Sequence, residues 1–177
     1  MKYQIFISCF FIFFLSTIVT SQEQTTQPVQ LTQLTIEQKA DRAVMNSISY
    51  MVFGISYAKS QGQTVAQYAE YCARTTAPFY QRFSNQPPIG IIRATHNVLQ
   101  SDRNYQLEIT ESTDSTITGR MTLYGVQYIN PENPFGGVTV DECYEFYNTF
   151  ITHLLKSIGM NYSYKLNVEW IEFEIHK

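Results

Sequence analysis

The sequence predicts an α+β domain in which an antiparallel sheet of about four strands carries about four helices on one face. Two periodicities support this class. Apolar residues recur at helical spacing over residues 35–99 and 139–158, and they alternate with polar residues over 105–123 and 162–175. The resulting order of helices, hairpin, helix and hairpin is typical of helices packed on an antiparallel sheet.

The beginnings of three helices are marked by one local pattern. In each, a Thr stands three positions before a Gln or Glu, which is the spacing of a capping box. The three pairs are Thr35 with Gln38, Thr64 with Gln67 and Thr139 with Glu142. Gly62 and Gly159 suit the ends of the first and last of these helices.

Gly54 lies inside the first helix, whose apolar face is Ala40, Ala43, Val44, Met51, Val52 and Ile55. An interior Gly costs up to about 1 kcal/mol relative to Ala. We therefore expect close approach of another element or of a ligand at this position, and we favour close helix packing.

Pro residues divide the next part of the chain. Pro78 is expected to kink or end the second helix, and Pro88 suits the first turn of a third. The third helix should turn one stripe inward. That stripe is Ile91, Ile92, Thr95, Val98 and Leu99.

Two hairpins are predicted from alternation. Tyr105, Leu107 and Ile109 form the inward side of the first strand, and ESTDS (111–115) makes the turn to a second strand with Ile117, Gly119, Met121 and Leu123 inward. In the closing hairpin the inward residues are Tyr162, Tyr164, Leu166, Ile171, Phe173 and Ile175.

Residues 1–21 have the layout of a secretory signal peptide. Lys2 precedes an apolar run, IFISCFFIFFLSTIV (5–19), and Val19 and Ser21 suit a cleavage site before Gln22. We expect a cleaved signal peptide over 1–21, a polar disordered leader over 22–34 and a single domain over 35–177. The predicted location is secreted or periplasmic, with no membrane span after cleavage.

Composition limits the partners. Cleavage would change the formal charge from −3 to about −4, and no cluster of Lys and Arg exists, so we expect no nucleic-acid partner.

Tyr is abundant, with 13 residues in the chain. Its apolar ring and polar tip suit a lined pocket, although Tyr is also common in strands and half-buried helices. The oligomeric state stays open.

Cys72 and Cys143 would be the two cysteines of the processed chain. An even count in an oxidising compartment makes them a candidate disulfide. Both also fall on predicted helix faces beside apolar residues, where two buried free thiols are the alternative.

The common signatures of catalysis and cofactor binding are missing from the sequence, including GxSxG, a P-loop, HExxH, CxxC and GxGxxG. We therefore predict no catalytic residue, no metal site and no cofactor. A thiol nucleophile, Cys72 or Cys143 activated by His96 or His153, is the alternative considered.

The C-terminal half resembles a known family. A helix begins DECYEFYNTF (141–150), the chain continues HLLKSIGMNYSYKL (153–166), and a strand, WIEFEI (170–175), ends it. This order is similar to the 4-vinyl reductase-type small-molecule-binding domain and to L-2-amino-thiazoline-4-carboxylic acid hydrolase-like domains. Cys143 matches the helix Cys of those families and Phe173 an aromatic of the closing strand. Trp170 or Ile171 stands near their second Cys, and their Gly-Asp turn is absent, so no metal or cysteine-based function is carried over.

The resemblance implies a pocket between the helices and the sheet for a small, mostly apolar ligand. Its candidate wall residues are Tyr50, Tyr57, Tyr71, Tyr80, His96, Tyr147 and Trp170. The alternative is that these rings simply fill the core.

Together these observations predict a secreted or periplasmic, non-catalytic domain that binds a small, mostly apolar ligand or a protein partner. Two alternatives stay open: a hydrolase-like enzyme of the same fold, and a structural or interaction module. A cleft with converging titratable groups would favour the enzyme, and an exposed apolar patch would favour the interaction module.

Overall fold

The computed structural model describes residues 33–130, 132, 134–167 and 170–177. The helices are α1 (Ile36–Ser60), α2 (Val65–Tyr80), α3 (Ile89–Leu99) and α4 (Val140–Ser157). The strands are β1 (Leu107–Ser112), β2 (Thr116–Met121), β3 (Asn161–Leu166) and β4 (Ile171–His176). Short 3₁₀ turns occupy Gln81–Phe83, Val126–Tyr128 and Phe135–Gly137. The predicted signal peptide (1–21) and residues 22–32 of the predicted leader lie outside the described residues, so both stay predictions.

All three predicted capping boxes are present, and they begin α1, α2 and α4. In each, the Thr side chain accepts a hydrogen bond from the backbone N–H three residues on, and the Gln or Glu side chain accepts one from the Thr N–H. These reciprocal bonds satisfy two amide donors that a helix N-terminus otherwise leaves without partners. Helix α3 begins directly after Pro88, as predicted.

The α+β class is confirmed. The four strands form one antiparallel sheet in the order β1-β2-β4-β3. The two predicted hairpins, β1–β2 and β3–β4, are joined by the pairing of β2 with β4, which aligns Ile117 with Ile175 and Met121 with Ile171. This register places the apolar residues of both central strands on the same face.

The two faces of the sheet differ in burial. On the inner face Ile117, Ile171, Phe173 and Ile175 are buried under the helices. The outer face carries a row of charged residues across all four strands, where Glu108, Arg120, Glu172 and Lys165 are register neighbours of alternating sign. Alternating charges in register attract across the strands and suit a solvated face.

Helix α4 connects the sheet with the other helices. It packs against β3 on one side and against α2 on the other, and α1 packs against α2.

The buried side of α1 consists of Val44, Ile48, Val52, Ile55 and Ala58, which recur at intervals of three or four residues. The apolar stripe predicted for α1 shares Val44, Val52 and Ile55 with this set. It missed Ile48 and Ala58, and it included Ala43, which is exposed, and Ala40 and Met51, which are half-buried.

Gly54 permits a close approach of α2 to α1. A Cβ atom at this position would lie 2.1 Å from the hydroxyl oxygen of Tyr68 and 2.7 Å from its Cζ atom. The Gly is therefore needed because the Tyr68 ring occupies the space where any larger side chain would begin. Of the two readings of Gly54 left open by the sequence, helix packing is the one that the structure supports.

A buried carboxylate organises the segment after β2. Asp102 is 2% exposed and follows α3. Its Oδ2 accepts a hydrogen bond from the Gly125 N–H at 2.8 Å, and its Oδ1 accepts from the Asn104 N–H at 3.0 Å and from Gln127 Nε2 at 2.9 Å. Because buried carboxylates need such donors, Asp102 joins the α3–β1 turn to the 123–129 segment.

Candidate functional site

An apolar cavity of about 230 Å³ lies between α3, α4 and the inner face of the sheet, and it is partly open to solvent. Its wall is mainly aliphatic and aromatic. The wall residues are Tyr80, Ile91, Ile92, Thr95, Val98, Leu99, Tyr105, Leu107, Met121, Thr122, Leu123, Tyr124, Tyr147, Phe150, Ile151, Leu154, Leu155, Tyr162, Ile171, Phe173 and Ile175.

Helix α3 contributes one complete stripe to this wall. All five residues predicted to face inward from α3 line the cavity, and Thr95 fixes its hydroxyl by donating to the backbone carbonyl of Ile91 at 2.9 Å. Val98 is 67% exposed, which differs from the expectation that it would be buried. Because Val98 lines the partly open cavity and is also largely exposed, we infer that it lies at the rim.

Helix α4 supplies the opposite wall. Tyr147, Phe150, Ile151, Leu154 and Leu155 line the cavity at intervals that repeat along one helix face. The helical spacing of apolar residues over 139–158 in the sequence predicts such a face, with Val140, Cys143, Tyr147, Phe150, Ile151, Leu154, Leu155 and Ile158 as its stripe. The period of the helix therefore determines both the core contacts of α4 and its share of the cavity.

The floor of the cavity comes from the sheet, where Gly119 of β2 makes room for an aromatic ring. A Cβ atom on Gly119 would lie 3.0 Å from the Cζ atom of Phe173 and 2.4 Å from the carbonyl oxygen of Glu108. Phe173, Ile171 and Ile175 of β4 line the cavity beside it. The missing side chain on β2 thus leaves room for the ring of Phe173, which is paired with Gly119 on the neighbouring strand.

Tyrosine hydroxyls are the main polar groups of the wall. Tyr162 donates a hydrogen bond to Asn148 Oδ1 at 3.1 Å, and Tyr124 lies 3.5 Å from the hydroxyl of Ser101. Among the described residues, no side chain or backbone group hydrogen-bonds the hydroxyls of Tyr105 and Tyr147. Of the five tyrosines on the wall, Tyr105 and Tyr147 therefore offer hydroxyls that an occupant can bind.

Burial also sets the protonation of these hydroxyls. Removal from solvent raises the pKa of Tyr105 to about 12, and it raises the pKa of Tyr147 and of Tyr162 further. The nearby Tyr124, Cys143 and Asp102 add to the rise in the pKa of Tyr147. Near neutral pH all three hydroxyls are therefore neutral groups that can donate a hydrogen bond.

Two of the seven predicted site residues lie on the cavity wall. Tyr80 lines it from the end of α2, with its ring 6.0 Å from that of Phe83, and Tyr147 lines it from α4. The structure brings them to the same cavity, although the sequence separates them by more than sixty positions. Their role in binding stays a prediction.

Tyr50, Tyr57 and Tyr71 lie on the surface and not on this wall, which corrects their predicted placement. They are 75%, 68% and 59% exposed. Tyr50 and Tyr57 project from the side of α1 opposite to buried Val52, and Tyr71 stands two residues from both buried Ala69 and buried Ala73 on α2. A displacement of two residues turns a helical side chain to the opposite face.

The remaining two predicted residues lie outside the wall. His96 is half-buried on α3 with its ring 5.8 Å from that of Tyr105, and its Nδ1 atom is buried without a hydrogen-bond partner among the described residues. Trp170 precedes β4, and the guanidinium of Arg120 lies 4.5 Å from the centre of its ring. Because Arg120 belongs to the charged outer face, Trp170 packs with that face rather than with the cavity.

Three cavity tyrosines were not among the predicted site residues. These are Tyr105, Tyr124 and Tyr162. A signal existed for two of them, because the alternation of the strands placed Tyr105 and Tyr162 on the inward side. Tyr124 follows β2 in an irregular segment, where no periodicity indicates its direction.

Within the part of the chain that the structure describes, both cysteines are free thiols. The disulfide between Cys72 and Cys143 is therefore not supported. Cys143 is buried in the core cluster that contains Val52 and Ile55, and burial raises its pKa to about 12. Burial also raises the pKa of Cys72, against the opposing effect of its hydrogen bond with Tyr68. A thiol with a raised pKa is a poor nucleophile.

Among the described residues, no three His, Cys, Asp or Glu side chains come together as a group able to hold a metal ion. Of the helices in the same part of the chain, none combines the length and the apolar character needed to cross a membrane.

Comparison with known proteins identifies no family. No family model matches the chain, and no curated protein matches it. A crystal structure of an Fe(II) unliganded H-NOX protein from K. algicida has a TM-score of 0.39 and 10% identity, covering 80% of this chain and 94% of that chain. A point mutant of that protein gives a TM-score of 0.38 and 8% identity, covering 89% of this chain and 81% of that chain. Similarity at these TM-scores carries no argument about function.

Proposed function

We propose that this chain is an exported, non-catalytic domain that binds a small, mostly apolar molecule in the cavity between α3, α4 and the sheet. The observation that carries the proposal is the cavity itself, with its volume of about 230 Å³ and its almost entirely apolar wall. Ligand sites are typically concave, apolar and supplied with a few polar groups.

The size of the cavity supports a ligand rather than a packing defect. Well-packed interiors have few voids larger than a water molecule, and an apolar cavity of roughly 150 Å³ is able to bind benzene. A cavity of about 230 Å³ has room for a ring with a short substituent or for a comparable branched chain. The cavity is partly open to solvent, which supplies an entry path.

The wall also supports binding without chemistry on the ligand. Of its 21 residues, none is Lys, Arg, His, Asp or Glu. General acid–base catalysis and most nucleophilic catalysis require titratable groups with accessible pKa values. The tyrosine hydroxyls suit recognition instead, because they donate hydrogen bonds without changing their charge.

Export is the second part of the proposal, and its support is the signal-peptide pattern of residues 1–21. The resemblance of the C-terminal half to 4-vinyl reductase-type domains supports the ligand-binding part, because it implies a pocket between helices and sheet. If export occurs, the ligand is met outside the cytoplasm. The N-terminal residue of the chain recovered from the medium or the periplasm tests this point, and Gln22 is the expected result.

Toluene is a suitable probe of the cavity. We expect its addition to shift the NMR signals of methyl groups on the wall, such as those of Ile91 and Ile151, in a saturable manner. A Thr95→Trp variant should fill the space and abolish the shifts. Arg93→Trp is the matched control, because Arg93 is exposed on the same helix and should leave binding unchanged.

The proposal fails if the wall signals of the unmodified chain do not respond to toluene, or if Thr95→Trp and Arg93→Trp respond alike. Native mass spectrometry of the purified chain is a separate experiment that detects a ligand bound during expression. A co-purified mass that is lost in Thr95→Trp and kept in Arg93→Trp would identify the natural ligand directly.

A further inference from the structure

The tyrosine hydroxyls of the cavity wall differ in whether they have a hydrogen-bond partner. The Tyr162 hydroxyl is committed to Asn148 Oδ1, and the Tyr124 hydroxyl lies beside Ser101. The hydroxyls of Tyr105 and Tyr147 have no hydrogen-bond partner among the described residues. Both hydroxyls keep some accessible surface, since His96 Nδ1 is the only fully buried side-chain polar atom without a partner among the described residues. An apolar occupant would remove that surface from solvent without compensation, at a cost of about 1–3 kcal/mol per hydroxyl. An occupant that accepts a hydrogen bond would avoid this cost.

Tyr147 is the better placed of these two donors. It projects from the middle of α4, between the buried Cys143 and the wall residues Phe150 and Ile151. Tyr105 lies in the turn that precedes β1 and contacts the ring of His96. A donor held on a long helix is more rigidly positioned than one on a turn, and rigid placement favours selective recognition.

The charges around the cavity disfavour an ionised ligand. An anion or cation that enters an apolar site loses its hydration and needs an opposite charge in return. No wall residue carries a charge. The buried Asp102 is one of the groups that raise the pKa of Tyr147, and its oxygens already accept hydrogen bonds from Gly125 and Gln127, so it offers no donor to an anion.

We infer that the cavity selects a neutral ligand with an apolar body of about one substituted ring and a carbonyl-type oxygen that accepts a hydrogen bond from Tyr147. This inference rests on the proposed function, because it names the chemical class of the molecule bound in the same cavity. It excludes free carboxylic acids in their ionised form and pure hydrocarbons as the preferred ligands.

Three probes of similar shape separate the effect of a hydrogen-bond acceptor on affinity from the effect of a charge. Acetophenone carries a neutral acceptor, ethylbenzene lacks one, and benzoate carries a charge. We expect acetophenone to bind the purified chain on the order of tenfold more tightly than ethylbenzene, which corresponds to one hydrogen bond. Benzoate should bind the most weakly. These comparisons use the unmodified chain, so they do not depend on the folding of any variant.

Two conservative variants assign the donor. Tyr147→Phe removes one oxygen, so it should abolish the preference for acetophenone while leaving the affinity for ethylbenzene within about twofold, since the apolar wall is retained. Tyr57→Phe, which removes a hydroxyl from an exposed ring, should change neither affinity. Loss of the preference in Tyr105→Phe alone would overturn the assignment to Tyr147.

The outcomes distinguish this inference from the proposed function. Equal binding of acetophenone and ethylbenzene to the unmodified chain overturns the inference and leaves an apolar binding domain in place. Preferential binding of benzoate overturns the requirement for a neutral ligand. Absence of binding for all three probes overturns both the inference and the proposed function.

Discussion

The carboxylate of Asp102 accepts a hydrogen bond from the backbone N–H of Gly125 across 2.8 Å in a site where Asp102 is 2% exposed. This bond connects the end of α3 to the segment after β2, which carries the wall residues Leu123 and Tyr124. Gly125 adopts a φ of +70° there, and Ile48 occupies the space where its Cβ would lie. The position of that part of the wall thus depends on a buried hydrogen bond.

Replacement of Asp102 should destabilise the fold. Asp102→Ala leaves the buried N–H of Gly125 without its acceptor, so we expect the free energy of unfolding to fall by about 1–3 kcal/mol. Asp114→Ala, on the exposed turn between β1 and β2, is the matched control and should change it by less than about 0.5 kcal/mol. Urea denaturation measures both. Equal effects of the two substitutions would contradict the role assigned to Asp102.

The hydrogen bond between Asn148 and Tyr162 joins α4 to β3. Asn148 is buried, its amide donates to the Tyr144 carbonyl at 2.9 Å, and its oxygen accepts from Tyr162 at 3.1 Å. Asn148→Ala and Tyr162→Phe should each lower the free energy of unfolding by about 1–2 kcal/mol. The double variant should lose less than the sum, with a coupling of at least about 0.5 kcal/mol. Strict additivity in the double-mutant cycle would show that the pair does not interact.

Gly54 provides a case in which helix propensity and packing oppose each other. In an exposed helix Gly→Ala is stabilising by roughly 0.5–1 kcal/mol. Here the added Cβ would lie 2.1 Å from the Tyr68 hydroxyl, so we expect Gly54→Ala to lower the free energy of unfolding by about 1–3 kcal/mol. In a Tyr68→Ala background the same substitution should become stabilising, which denaturant unfolding of the four variants can measure. Stabilisation by Gly54→Ala in the unmodified chain would contradict the close packing.

Alkaline pH should destabilise the protein through its buried tyrosines. Burial raises the pKa of Tyr105 from 10.0 to about 12 in the folded chain. The unfolded chain therefore loses this proton first, and stability that is fully present below about pH 10 falls as the pH rises towards 12. The slope from Tyr105 should not exceed about 1.4 kcal/mol per pH unit, because only one proton differs between the folded and the unfolded chain.

Tyr105→Phe tests that assignment. The variant should show a shallower loss of stability above pH 10 than the unmodified chain, measured by urea denaturation at a series of pH values. Tyr50→Phe, which alters an exposed ring, is the control and should leave the slope unchanged. Identical slopes for the unmodified chain and Tyr105→Phe would remove Tyr105 as the source.

Helix boundaries were predictable because the signals are local. A capping box involves four consecutive residues, and its hydrogen bonds form whenever those residues begin a helix. Thr35, Thr64 and Thr139 begin α1, α2 and α4 accordingly. Likewise, the stripe of α3 from Ile91 to Leu99 faces the cavity, because its side chains lie on one helix face whatever the partner is.

The candidate site was less predictable, and the tyrosines show why. Residue type alone selected Tyr50 and Tyr57, but the ring of Tyr is stable both in solvent and in a core. The position of Tyr50 relative to Val52 was the better indicator of its exposure. Tyr50 lies two residues from this buried Val and therefore faces the opposite side of α1. The same reasoning from periodicity selects Tyr105 and Tyr162, which line the cavity.

The sequence by itself determined the α+β class, the beginnings of three helices and the inward faces of the two central strands, because each depends on spacing within a few residues. On the edge strands β1 and β3 the prediction was wrong for Ile109, Tyr164 and Leu166, which alternate as expected but are exposed. Only the tertiary structure decided that β2 pairs with β4 and that α3, α4 and the sheet leave a cavity of about 230 Å³ between them. Both result from the simultaneous packing of segments distant in sequence. A void arises where the side chains of several elements together fail to fill a volume, and no local pattern records that sum.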